Sequence, residues 1–97
     1  MEQRSISFIF VTEKKRFIRW RKQAKNNNMT LENWIIKKLN SDVKVVYKKV
    51  KLQKDIPKDE QWFIRLSMKP EIKGYWVYCS RSDEKKLVEW ITCKLDS

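Results

Sequence analysis

The sequence predicts a small α+β domain with its elements in the order β-α-α-β-β-β-α, ending in a small antiparallel sheet and a C-terminal helix. Three observations predict it. The chain has 97 residues, the size of one domain. Segments 5–11, 43–52 and 61–68 are rich in β-branched and aromatic residues, interleaved with Lys in the second and with apolar positions at every second residue in the third. Segments 14–25, 31–39 and 83–95 instead space their apolar residues three and four apart. A hydrophobic content of 41% is too high for simple disorder, and one Gly and two Pro exclude collagen-like or low-complexity architecture.

The first strand is SISFIFV, and Thr12-Glu13 then opens a helix. In that helix Phe17, Trp20 and Ala24 form one narrow apolar stripe, with Ile18 beside it and Lys or Arg almost everywhere else. Asn26-Asn27-Asn28 ends it, because Asn tolerates the left-handed conformation that closes a helix where Gly is absent. Thr30 caps a second helix over 31–39, Met29 being placed to pack on Trp34, and Leu31, Trp34, Ile35 and Leu39 share its inner face. VKVVYKKVKL then reads as a strand with one basic face, QKDIPKDE as a loop, and QWFIRLSM as a strand with Trp62, Ile64, Leu66 and Met68 on one side. After a loop over 69–74, YWVYCS reads as a third strand of this half. Ser82 caps the last helix, whose first turn carries Asp83 and Glu84 and whose stripe is Leu87, Ile91 and Leu95. No internal repeat or long linker stands out. Asn40 to Asp42 divides a segment 1–40 from a β-β-β-α segment 41–97, the two packed as one compact unit.

Composition excludes several functions. With no His and two Cys no four-ligand zinc site can close, and a single Gly allows neither a P-loop nor a dinucleotide turn. No metal, no cofactor and no enzymatic activity are expected. The carboxylates of Asp55, Asp59, Glu60, Asp83 and Glu84 fall in loop and cap positions. Two Cys do not make a secreted disulfide framework, and the apolar run near the N-terminus is too short to span a membrane. A soluble, cytoplasmic protein with no membrane partner is expected.

The formal charge of +11 is the footprint of a polyanion partner. It is concentrated in residues 1–40, net +7, against +4 in the rest. Lys14, Lys15, Arg16, Arg19, Arg21, Lys22 and Lys25 all lie on the first helix, and Arg forks phosphate bidentately where Lys is a point charge.

The stretch SISFIFVTEKKRFIRWRKQAKNNNMTLENWIIKKLN resembles the ribbon-helix-helix family of DNA-binding proteins, the group of the Arc and Met repressors. A short strand, a Thr-Glu helix start, a basic first helix and the second helix announced by Met29-Thr30-Leu31 carry the resemblance, over about the first 40 residues. It implies that two strands pair into an antiparallel ribbon entering the major groove of double-stranded DNA, and that the N-terminus of the second helix holds a phosphate. The protein would then be a transcriptional regulator and a homodimer. Carried onto this sequence, Arg4, Ser5 and Ser7 meet the groove; Asn28, Met29 and Thr30 hold the phosphate; Lys14, Arg16, Arg19 and Lys37 add backbone contacts. Two registers are open. If Thr12 caps the first helix, Ile6, Phe8 and Phe10 face the groove; with a shift of one residue, Ser5, Ser7 and Ile9 do. Equally, ISFIFV is apolar on both sides, as expected of a strand pairing within its own chain.

Residues 31–95 also run α-β-β-β-α, the order of the double-stranded-RNA-binding domain, with Lys85-Lys86 near the last helix but without that family's Gly-rich lead-in. The alternatives to a DNA-binding regulator are therefore an RNA-binding module and a phage or mobile-element protein that binds and inhibits a host protein. The last rests on Trp62, Phe63, Tyr75, Trp76 and Tyr78, which would expose aromatic surface on two neighbouring strands.

Overall fold

The computed structural model describes residues 4–97, so the first three residues of the segment 1–40 lie outside it. Its elements are β1 (Ile6–Glu13), α1 (Lys14–Asn26), α2 (Leu31–Leu39), β2 (Gln61–Met68), α3 (Pro70–Ser82) and α4 (Leu87–Leu95), with two 3₁₀ turns ahead of β2. The class is α+β, but the order is β-α-α-β-α-α. Among the described residues the sheet has two strands, β1 antiparallel to β2.

Two expected strands are absent. Residues 43–52 form no strand: among the described residues β1 and β2 pair with each other, and this segment is tied instead to residues in and beside the C-terminal helices. Val46 N–H donates to Ser97 Oγ, Tyr47 Oη to Asp83, and Cys93 Sγ to the Lys48 carbonyl. YWVYCS lies inside α3, not in a strand. Pro70 at the start, Glu71 in the first turn and Arg81 in the last supply the helix signals, and Ile72, Trp76 and Ser80 recur every fourth residue on the inward side. The predicted loop over 69–74 is the beginning of this helix, and Asp83 caps its end rather than starting α4, whose N-cap is Lys86.

Against the expectation of no internal repeat, the chain also contains one. β1 and β2 have 8 residues each, α1 and α3 have 13, and α2 and α4 have 9. One constant offset superposes Leu31, Trp34, Ile35, Lys38, Leu39 and Ser41 on Leu87, Trp90, Ile91, Lys94, Leu95 and Ser97. The same offset relates Trp20 to Trp76, both fully buried. It also relates the two left-handed residues that close α1 and α3, Asn28 at φ 55° and Glu84 at φ 57°. In the ribbon it sets Ile9 opposite its own equivalent, Arg65, so a local two-fold axis passes through that pair. The molecule is two β-α-α units related as the halves of a dimer are.

The contacts between the units are reciprocal. Trp20 Nε1 donates to Asp96 Oδ1 at 2.8 Å, and Trp76 Nε1 donates to Asn40 Oδ1 at 2.8 Å. Lys38 Nζ donates to the Leu95 carbonyl at 2.9 Å, and Lys94 Nζ to the Leu39 carbonyl at 2.9 Å. Each unit thus satisfies carbonyls or a cap at the end of the other's second helix, groups that a helix leaves free. Between these contacts Trp20, Trp34, Ile35, Leu39, Leu66, Trp76, Ile91 and Leu95 form one core shared by both units.

Candidate nucleic-acid interface

The two faces of the ribbon differ because strand side chains alternate. Ile6↔Met68, Phe8↔Leu66 and Phe10↔Ile64 are the inward pairs, and Phe10, Ile64, Leu66 and Met68 are buried. The outward pairs are Ser7↔Ser67, Ile9↔Arg65 and Val11↔Phe63. Ser7, Ile9, Phe63, Arg65 and Ser67 are all exposed there, while Val11 is covered. Of the two registers open to the sequence, the ribbon adopts the one that turns Ser5, Ser7 and Ile9 outward. β1 continues through Thr12, which is buried, and Glu13 is the N-cap of α1. Phe8 and Phe10 turn inward because burying two aromatic rings outweighs the single cap bond that Thr12 would have made.

Arg65 lies across the ribbon on Ser7: its Nε and Nη2 donate to Ser7 Oγ at 3.3 and 3.1 Å. At the β2 edge the Ser67 N–H donates to Glu32 Oε1 at 3.0 Å, which fastens the start of α2 to this end of the ribbon. The start of α4 flanks the other end. There a cavity of about 390 Å³ is lined by Phe8, Val11, Leu52, Phe63, Leu87 and Val88, among others. Val88 is the equivalent of Glu32, so the position that takes the strand's N–H at one end is apolar at the other.

The N-terminus of α2 is built as expected. Thr30 Oγ1 accepts from Asn33 N–H at 3.2 Å, and Asn28 supplies the left-handed turn before it. Thr30, Asn28 and Lys37 are exposed. Arg4 and Ser5 are exposed at the entrance to β1, and Lys14 at the start of α1. Arg16 and Arg19 differ from these. Arg16 is bound to Glu13 and Asp96 at 2.8 Å each, and Arg19 to Asp96 at 2.7 Å. Arg16 therefore joins the two units, while Arg19, half exposed, reaches solvent as well. Burial by itself would raise the Asp96 carboxyl, but hydrogen bonds from Arg16, Trp20 and Arg19 outweigh it and hold the group below its usual range. Burial lowers Lys38 and Lys94 below ordinary lysine, the charge of Asp96 opposing this for Lys38.

Sequence reasoning missed Phe63, Arg65 and Ser67 as partners of Ser7 and Ile9 on a single surface. The signal that could have found them is the recurrence of Trp-Ile-x-x-Lys-Leu-x-Ser at the ends of both halves, which marks the second strand as the counterpart of the first. Among the described residues no His, Cys, Asp and Glu cluster could hold a metal, and no helix is long and apolar enough to cross a membrane. Both cysteines are free thiols. Compared with protein-family models, curated proteins and solved structures, the chain matches none.

Proposed function

We propose that the protein binds double-stranded DNA in the ribbon-helix-helix manner, as a regulator of transcription, with one chain supplying both halves of the ribbon. One observation carries this reading: two β-α-α units meet about a local two-fold axis through Ile9 and Arg65, and join their strands into a ribbon with an exposed outer face. A two-stranded ribbon fits the major groove of B-DNA, about 12 Å wide. The starts of α2 and α4 flank the two ends of the ribbon, where free N–H groups would meet phosphates on either side. Thr30 and the Asn28-Met29 backbone serve one side and Lys86 the other. The charge of +11 supplies attraction that does not depend on sequence.

Titration of the purified chain against a duplex pool at rising salt tests the reading. Affinity should fall steeply with salt, and Arg4→Ala combined with Thr30→Ala should weaken binding while the fold persists by circular dichroism. Absence of salt-dependent binding to any duplex overturns it. A specific observation favours a second reading, a protein-binding inhibitor. Tyr75 and Tyr78 are exposed on α3, at 47% and 70%, where the equivalent positions on α1 are Arg19 and Lys22. Under that reading Tyr78→Ala would abolish function, and the ribbon variants would leave it intact.

A further inference from the structure

We infer that the ribbon reads a non-palindromic duplex, with a guanine under Arg65 at one end and thymine methyl groups under Ile9 and Phe63 toward the other. This rests on the DNA-binding reading above and specifies its target. A ribbon made by two identical chains presents each half of the site with the same residues, so its site mirrors the two-fold axis. In this chain the axis relates unlike residues at every outward position of the ribbon: Ser7 to Phe63, Ile9 to Arg65 and Val11 to Ser67. No half-site could satisfy both ends equally.

The chemistry of the two ends is separate in space. At one end Ser7 opposes Ser67, and Arg65, rooted at the centre, leans over Ser7 through Nε and Nη2. Two of the five guanidinium N–H donors are then engaged, leaving three in a fixed fork. Such a fork matches guanine O6 and N7, while serine hydroxyls both donate and accept. At the other end Val11 opposes Phe63, which is 61% exposed; Ile9, at the centre, is 57% exposed. Neither side chain has a hydrogen-bonding atom, and the base feature that rewards apolar contact in the major groove is the thymine 5-methyl group. The scaffold is polarised in the same sense. Glu32 fastens the strand edge at the serine end, and the apolar residues Val88, Leu87 and Leu52 border the Phe63 end.

The test is selection of duplexes from a random pool by the intact chain, followed by titration of the selected duplex with wild type, Arg65→Ala and Phe63→Ala. Both substituted side chains are exposed, and melting by circular dichroism verifies each fold. The expected motif differs from its own reverse complement. Arg65→Ala should weaken the selected duplex roughly 10- to 100-fold and erase one guanine preference. Replacing thymine by uracil, which removes only the methyl group, should weaken wild type and should weaken Phe63→Ala by less, because in that variant only the methyl under Ile9 is still contacted. A palindromic motif, binding without sequence preference, or an Arg65→Ala variant that keeps the guanine preference overturns the inference and leaves DNA binding standing. Failure to retain any duplex overturns DNA binding itself, and the inference with it.

Discussion

Asn28 and Glu84 occupy the same place in the two units and differ in what their backbone costs. Each is left-handed, and each continues into a backbone bond that closes the preceding helix, Met29 N–H to the Ala24 carbonyl and Lys85 N–H to the Ser80 carbonyl. Asn tolerates this conformation, whereas for other side chains it costs roughly 1–2 kcal/mol. Glu84→Gly should therefore stabilise the protein by about 0.5–1 kcal/mol, the strain relieved exceeding the greater freedom of glycine in the unfolded chain. The midpoint of urea unfolding checks this; a lower midpoint would contradict it. Thr30 was legible as a cap because a hydroxyl before an apolar helical run has a local reason to be there. Arg16 was not: its neighbours suggest a surface cation, and only the arrival of Asp96 from the far end of the chain makes it a bridge.

The ends of α2 and α4 illustrate how two copies of one element diverge. Asn40 and Asp96 are equivalent C-caps, each accepting the indole N–H of the other unit's tryptophan, but only Asp96 also receives two guanidinium groups. Since the folded state holds the Asp96 carboxyl below its unfolded value, the folded protein binds fewer protons there, and stability is lost as the pH falls. The loss should begin near pH 4, the ordinary carboxylate value, and deepen below it. Asp96→Asn, which copies the Asn40 side, should be less stable than wild type at neutral pH and should narrow that gap on acidification. Melting temperatures of the two proteins between pH 7 and pH 3 decide the matter; parallel curves would refute it. At this scale α2 was fully legible from its cap and spacing. α3 was not, since Tyr75, Trp76, Val77 and Tyr78 favour strands, Gly74 is a poor helix former, and its placement comes from packing Trp76 into the shared core.

For the whole molecule, the ribbon that a homodimer would assemble from two chains is closed within one. β1 has its partner in β2, and the reciprocal tryptophan and lysine contacts are all made internally. The purified protein should therefore have a solution mass near 11.9 kDa that does not change with dilution, and its melting temperature should be independent of concentration. A mass near twice that value, falling on dilution, would show that strand pairing or the outer face also joins two chains. With both units in one chain, the two need not carry the same residues. The first has a basic α1, and the second carries tyrosines at the positions equivalent to Arg19 and Lys22.

The sequence by itself determined the class of fold, the first strand and both helices after it, the strand at β2, and the basic character of the first half. Each of these rests on a period, a cap or a charge count, which are local properties of consecutive residues. The tertiary structure alone decided that residues 43–52 are not a strand, that α3 is a helix, and which face of the ribbon points outward. It also decided that the two halves meet about a two-fold axis. The reason is that these depend on which surfaces are buried together. A strand needs a partner edge, an aromatic segment takes the form that buries its rings, and a two-fold axis exists only between units already in contact. Ser7 and Arg65 lie far apart in the chain; pairing of β1 with β2 makes them neighbours on one face.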